Sequence, residues 1–551
     1  MFSHSRKFVF AVILGTIFFV PVFVQANWSN TADFYVESDY DLFGRDKIEA
    51  QLIKTTNKIY FYADKNWYQN FNQKSELDSK IYNLSSDFEY EIYPILTNLL
   101  GSEDKPGVDN DSRIIIVLEP LKEDYGGYIR VGDHYLKEDY QLSNQGQIIF
   151  LNANLMVQSS LDFLNYELAH EFTHLIILKQ KPEVETWFQE LIAEATPIIL
   201  GCDEEDIVLK KRVQSFLYST KVNLFEWDDS DRNYGKIKLF GLYLIEQFGN
   251  DLLVQAVKYP SNNGIESFAG ALRQLNIQDN FSDIFMNWLI TNVVNNCSEK
   301  QEYCYQNESL NNFKVSGETY YLPTKFKASL GGTDFLKNFE GKWIKIVGGL
   351  KIVKIKFNLP QETPIARIPY VIIKTNGQKQ VGFLDFSRSN ISEIYIFKMN
   401  EEVEAVYLMP YLFDKNLDSN KLYYYSFEVS SLENNPQIEQ QIIEELTRQI
   451  EELKRKITSL RLQLAMQKTY QSNPYCSVFS GDMYYGMTSP EVKCLQQFLS
   501  NLGPGIYPEG LVTGYFGPLT QAAVRRYQAL QNIITTGYFG PLTRAAINKN
   551  L

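Results

Sequence analysis

His170 and His174 stand four residues apart in the stretch L-A-H-E-F-T-H-L at 168–175, and no other feature constrains the chain as tightly. On a helix an i, i+4 pair projects from one face, so both imidazoles can grip one ion, with Glu171 between them. A metal held by two ring nitrogens and a carboxylate keeps a position open for water, and a neighbouring glutamate can take that water's proton. The fold must therefore carry this stretch on a helix and bring a third ligand to it from elsewhere. Histidine is scarce: the 551 residues hold four, His4, His134, His170 and His174. With so few, a chance H-E-x-x-H is expected on the order of a few times in a thousand chains.

A chain of 551 residues is too long for one core, so several domains are expected. Lys and Arg total 53 against 66 Asp and Glu, a formal net charge of −13, which excludes nucleic acid as a partner because no basic groove offsets phosphate repulsion. The basic start M-F-S-H-S-R-K is followed by an apolar run from Phe8 to Val24 and by Val24-Gln25-Ala26. That pattern predicts a signal peptide over residues 1–26, hence a secreted protein, extracellular or periplasmic. The alternative is an uncleaved anchor, which Pro21 and the shortness of the run disfavour. Export makes disulfides expected, and proximity pairs Cys297 with Cys304 and Cys476 with Cys494, leaving Cys202 odd.

Residues 27–300 read as an α+β catalytic domain. K-I-Y-F-Y-A-D at 58–64, R-I-I-I-V-L-E at 113–119 and Q-I-I-F-L-N at 147–152 predict strands, and Ser75–Leu100 predicts a helical run ending at Gly101. Asp109-Asn110-Asp111 offers an incomplete calcium pattern and reads rather as a solvated turn. A sheet followed by the H-E-x-x-H helix, Leu161 to Lys179, is the order of a zincin-like domain. Beyond Lys181-Pro182 a second helix, Val184 to Ile199, supplies two carboxylates at i, i+4, Glu190 and Glu194. One can ligate while the other holds the second nitrogen of a histidine.

H-E-F-T-H-L-I, E-T-W-F-Q-E-L-I-A-E and N-Y-G-K-I-K-L-F-G-L-Y-L-I-E-Q-F-G at 233–249 resemble the gluzincin-type metallopeptidases, and most closely the hyicolysin family of secreted bacterial zinc proteases. In that family the downstream helix reads W-L-N-E-G with its Glu as third ligand; the position falls on Glu190, with Leu191 in place of the glycine. The interval from His174 instead favours Glu194. The resemblance implies zinc (Zn2+) on His170, His174 and Glu190 (alternative Glu194), Glu171 as general base for the hydrolytic water, and a donor to the oxyanion. Tyr234 is the nominated donor, with Tyr243 and His134 behind it.

The second half changes texture. Short β-rich runs over 315–431 predict a β-sandwich, a spacer or substrate-docking module. Over 436–468, Ile443, Ile450, Ile457 and Leu464 occupy heptad a positions and Leu446, Leu453 and Leu460 occupy d, which predicts a short parallel coiled coil, hence a homodimer, or a solitary helical spacer. Residues 474–551 contain T-G-Y-F-G-P-L-T twice, at 513–520 and 536–543. With V-K-C-L-Q-Q-F-L at 492–499 and A-V-R-R-Y-Q at 523–528, this resembles the peptidoglycan-binding type 1 domain, a small all-α module. The resemblance implies peptidoglycan as partner, with Tyr515, Phe516, Tyr538 and Phe539 as wall contacts.

Together these features predict a secreted zinc endopeptidase acting on protein or peptide substrates and retained at the bacterial cell wall. Two alternatives stay open: a zinc-dependent hydrolase of peptidoglycan stem peptides or amides, and a non-catalytic wall-associated adhesin.

Overall fold

The structure, a computed structural model, describes residues 28–432 apart from 124, 203–206, 229, 388, 415 and 419–420, scattered positions over 440–460, and residues 476 and 478–549. The signal-peptide expectation lies outside these residues. The chain divides into two compact units, before and after residue 433.

The first unit begins with a six-stranded sheet in the order β1 (Thr31–Tyr35), β2 (Lys47–Thr55), β3 (Ile59–Asp64), β4 (Ile114–Glu119), β6 (Ile148–Asn152), β5 (Gly127–Ile129). β3, β4 and β6 run parallel, and β5 closes the edge antiparallel to β6. The central strands are wholly buried because both faces are covered. Ile116, Leu118, Ile149 and Leu151 point into the main helical core, while Ile115, Val117, Ile148 and Phe150 pack with Phe34 and Tyr62 on the far side.

Helices α1 (Lys65–Asn70), α2 (Lys74–Asp87), α3 (Tyr93–Leu100) and α4 (Leu155–Gln158) precede the long α5 (Leu161–Gln180). The single helix predicted over 75–100 is interrupted by a π turn at Phe88–Ile92. Pro94 lacks the N–H that would continue the ladder, and the Tyr93 N–H reaches back to the Phe88 carbonyl instead. Asp109-Asn110-Asp111 is a turn whose carboxylates are already engaged. Asp109 accepts from Trp28 Nε1 at 2.8 Å, and Asp111 pairs with Arg113 at 2.6 Å.

α5 starts where Ser160 Oγ accepts from the Phe163 N–H at 3.1 Å, and it is buried on nearly every side from Leu164 to Ile177. It lies between the sheet and α6 (Thr186–Leu200), so its amphipathicity is lost and its polar residues face an interior. α7 (Ile207–Leu217), α8 (Asp231–Phe248), α9 (Asn250–Lys258), α10 (Gly264–Gln274) and α11 (Phe281–Val294) complete the helical part.

Residues 318–432 form two sheets around a second core. One has the order β14 (Lys379–Asp385), β13 (Arg367–Lys374), β16 (Val403–Leu408), β11 (Ile344–Gly348), β8 (Glu318–Leu322). The other runs β15 (Ile391–Phe397), β12 (Ile352–Asn358), β18 (Tyr423–Leu432), β9 (Ser329–Leu336). Ile346 and Val406 of the first meet Ile355, Phe357 and Val429 of the second. These sheets do not behave as a spacer. A third sheet pairs β7 (Lys221–Asn223), between α7 and α8, with β10 (Glu340–Lys342), and β10 with β17 (Tyr411–Leu412). Trp343 sits in the helical core, its Nε1 donating to the Leu289 carbonyl at 3.1 Å, and Arg367 pairs with Asp283 at 2.6 Å.

In the second unit, Ile443, Ile450, Ile457 and Leu460 lie in helical backbone and are about half exposed, whereas Leu446, Leu453 and Leu464 fall outside the described residues. Residues 478–549 hold α12 (Pro490–Asn501), α13 (Pro518–Leu530) and α14 (Pro541–Asn548), each opening on a proline whose missing N–H costs nothing there. Each repeat loop is pinned by a buried glutamine of the preceding helix. Gln496 accepts from the Gly514 N–H at 2.7 Å and donates to the Tyr515 carbonyl and Thr520 hydroxyl at 2.8 Å. Gln528 does the same for Gly537, Tyr538 and Thr543, at 2.8, 2.8 and 2.9 Å. Among the described residues no helix is long and apolar enough to cross a membrane.

Candidate metal centre

Four residues of α5 and two of α6 build the centre. The helical spacing brings His170 Nε2 within 3.1 Å of His174 Nε2, and the facing helix sets Glu190 Oε2 3.6 Å from the first nitrogen and Oε1 3.6 Å from the second. The three donor atoms lie within 4.8 Å of one another, the one such grouping among the described residues. Zinc takes nitrogen and oxygen ligands at roughly 2.0–2.2 Å, which in a tetrahedron puts them about 3.3 Å apart, so the donor set and its spacing fit that ion. Burial pushes His170 down to about 4 and His174 to about 3, which keeps both rings neutral, the form a metal requires.

Glu194, one turn beyond Glu190, takes a different part. It is fully buried, and its Oε1 lies 3.6 Å from His170 Nδ1, the ring nitrogen turned away from the cluster. Tyr166 donates to Oε2 at 2.5 Å, Arg212 donates to Oε1, and Lys238 Nζ lies 3.8 Å from Oε2. Burial opposes ionisation, but Arg212 and Lys238 outweigh it and hold the carboxyl at about 2. Glu194 is thereby a permanent anion behind His170 rather than a member of the donor cluster.

A cavity of about 290 Å³ opens beside the cluster, lined by Glu171, His170, Glu167, Arg212, Tyr234 and the Tyr125–Gly127 turn. Glycine is required at Gly127, where a Cβ would lie 2.8 Å from the Phe150 carbonyl oxygen and 3.0 Å from Glu171 Cγ, and a Cβ at Gly126 would lie 2.1 Å from Glu167 Oε2. The edge strand β5 thus presses directly on the helix that carries the acids. Burial raises Glu171 well above the carboxylate range, with the charges of Glu167, Glu190 and Glu194 adding to it. A cation among these acids reverses that direction. Tyr234, in the first turn of α8, stacks under the Arg212 guanidinium at 4.5 Å; burial, joined by the charge of Glu190, keeps its hydroxyl protonated.

The other two donor candidates are elsewhere. Tyr243 is in the core, donating to the Glu302 carbonyl at 3.1 Å. His134 Nδ1 lies 3.0 Å from Gln147 Nε2, at the end of β6 opposite the cavity. Conversely, Glu167, Arg212, Lys238, Tyr166 and Asp231 carry no motif of their own. Of these only Glu167 leaves a signal in sequence, standing one turn before Glu171 on the same helix face. Asp231 also lines a larger cleft of about 1070 Å³ that runs past β7 and Trp227 to Glu340.

In the wall-like unit, Phe516 and Phe539 are fully buried core residues, which removes them as surface contacts, while Tyr515 and Tyr538 are exposed by 44% and 41%. Tyr538 donates to Asp482 Oδ2 at 2.6 Å. The structure bonds Cys297 to Cys304 and Cys476 to Cys494, and Cys202 belongs to neither disulfide.

Comparison with known proteins gives results of unequal weight. No curated protein matches the chain. Among solved structures, the periplasmic inhibitor of g-type lysozyme PliG from Aeromonas hydrophila aligns at 10% identity over 20% of this chain and 96% of its own, with a TM-score of 0.14. A family GH115 4-O-methyl-α-glucuronidase with specificity for decorated arabinogalactans aligns at 10% identity over 58% of this chain and 51% of its own, with a TM-score of 0.12. Superpositions this poor carry no argument about fold or activity. No family match supports the gluzincin or hyicolysin resemblance. One family model does match, that of a peptidoglycan binding domain, over residues 488–547, the span of the three short helices and both glutamine-pinned loops. Residues 488–547 of this chain are accordingly a peptidoglycan-binding domain of the type 1 family.

Proposed function

We propose that the protein is a zinc-dependent endopeptidase retained at the bacterial cell wall by its C-terminal domain, exported by the segment over residues 1–26. The observation that carries the reading is the convergence of His170, His174 and Glu190 on one point, beside a cavity into which Glu171 projects. Zinc held there would supply a Lewis acid for a peptide carbonyl and lower the pKa of water. Glu171 takes the proton from the attacking water and returns it to the leaving amine. Tyr234, a protonated hydroxyl on the same cavity, donates to the oxygen that gains charge. Glu194, fixed by Arg212 and Lys238, places a negative charge 3.6 Å from His170 Nδ1, on the side of the ring away from the donor cluster.

Metal analysis of the purified chain together with Glu171→Gln tests this. The variant is expected to retain stoichiometric zinc and to lose peptide cleavage; activity that survives the change defeats the mechanism. Removal of residues 474–551 is expected to abolish retention on isolated walls while sparing cleavage of a soluble peptide.

The peptidoglycan-binding domain favours a second reading, a zinc hydrolase of wall stem peptides. Lysis zones on wall substrate with none on casein would select it. Isoleucine at three a positions supports parallel pairing of residues 436–468 between two chains, which sedimentation velocity checks.

A further inference from the structure

The hydrolytic reading makes no use of Glu167, yet this carboxylate occupies a prominent part of the cavity wall. It is nine-tenths buried and forms no hydrogen bond with any described residue. The backbone of Gly126 closes over one side of it, near enough that a Cβ there would touch Oε2 at 2.1 Å. A carboxylate buried this far, to which no protein group donates and whose oxygens face the cavity, points to a donor that enters the cavity.

The charges around it restrict what that ligand is. Asp231, in the first turn of α8, is a second acid on the same lining, and Glu171 is a third. The positive group of the cavity, Arg212, is already committed: its Nη1 donates to the Tyr166 hydroxyl at 3.0 Å and to Glu194, and its plane lies over Tyr234. Lys211 pairs with Asp231 only loosely, at 3.4 Å, from an exposed position. An anionic ligand would meet three carboxylates, whereas a cation would meet Glu167, to which no described residue donates. The volume of about 290 Å³ must also admit the bond to be cleaved, which favours a compact ammonium at the end of a short chain.

We propose that Glu167, with Asp231, binds a positively charged primary amine of the substrate next to the bond presented to the metal centre. The proposal rests on the hydrolytic reading for its meaning but not for its test. The amine has two possible sources, the side chain of a diamino acid or a free α-amino terminus.

Three small amides distinguish them: Nα-acetyl-lysine amide, norleucine amide and Nα-acetyl-norleucine amide, which offer a side-chain amine, an α-amine and neither. Binding to the full-length protein is measured by ligand-observed magnetic resonance at millimolar concentration, with and without added zinc. One of the two amines is expected to bind about 10- to 100-fold tighter than the neutral amide, the range of a buried hydrogen bond to a charged group, and its identity names the source. Glu167→Gln, which keeps shape and volume, should erase that preference, and Asp231→Asn should reduce it. No preference in the wild type, including no binding of any of the three, overturns the proposal; so does a preference that Glu167→Gln leaves intact. Because binding is read without turnover, a failure to cleave any peptide in the presence of zinc counts against the endopeptidase alone.

Discussion

Inside residues 28–432, Glu194 is held by Arg212, Lys238 and Tyr166; inside the peptidoglycan-binding domain, Gln496 and Gln528 are held by backbone amides, carbonyls and threonine hydroxyls. Each arrangement fixes a side chain of one helix to groups from other segments. The first unit hides many groups that ionise, Glu119, Asp133, Glu194 and Lys238 among them, whereas the hidden polar side chains described in the wall domain are Gln496, Thr520, Gln528 and Thr543. A charged anchor sets the electrical environment of the groups beside it as well as their geometry, at the risk of a large loss if one partner is removed. An amide anchor fixes shape alone, and does so at any pH.

The sharpest way to break this comparison is Glu194→Ala. It strips Arg212 and Lys238 of the buried carboxylate that both approach, for an expected loss of about 3–5 kcal/mol. All six tryptophans, Trp28, Trp67, Trp187, Trp227, Trp288 and Trp343, lie in the first unit, so their emission during urea unfolding reports that unit alone. A loss under about 1 kcal/mol would mean that the network is not the charged core inferred from its geometry.

Next in size is a pH effect. Burial raises Glu119 to about 8 from an ordinary value of 4.5, with the Tyr128 hydroxyl opposing and Asp41 adding. The folded unit therefore keeps a proton there that the unfolded chain gives up near 4.5. The stability contributed is whole below that pH and is lost as pH rises toward 8, by on the order of 3 kcal/mol. Glu119→Gln should flatten this decline in tryptophan-detected stability, while the calorimetric transition of the wall domain should stay level over the same window.

Gln528→Ala and Gln496→Ala should each cost the wall domain about 1–2 kcal/mol by calorimetry, without moving the tryptophan transition. The smallest expected effect is that of Gly514→Ala. Its φ of +84° disfavours a side chain, but a Cβ would meet nothing closer than 3.6 Å, so about 1 kcal/mol is expected from backbone conformation alone.

How much of this is legible in the chain follows from how local each feature is. His170, Glu171 and His174 share one helical face by spacing, and Glu190 follows once a second helix is assumed to lie against the first. Which of Glu190 and Glu194 meets the cluster depends on Arg212 and Lys238, which reach Glu194 from α7 and α8 and leave no trace in any motif. The same limit separates the aromatics of the repeats. T-G-Y-F-G-P-L-T marks four rings as equivalent candidates, but only the packing of three helices buries Phe516 and Phe539 and turns Tyr515 and Tyr538 outward. Pro94 is visible in the helical run, although the π turn before it shows only in the backbone bonding.

The small sheet that pairs β7 with β10 bears on how such a chain can be rearranged in evolution. Its strands come from residue 221 and from residue 340 onward, so a recombination point near residue 300 would divide it and expose Trp343, Phe216 and Leu289 together. A point just beyond residue 433 divides no described strand pairing. Wall-binding modules can therefore be exchanged, duplicated or lost at that seam, while the two-sheet part must be inherited with the His170–His174–Glu190 cluster.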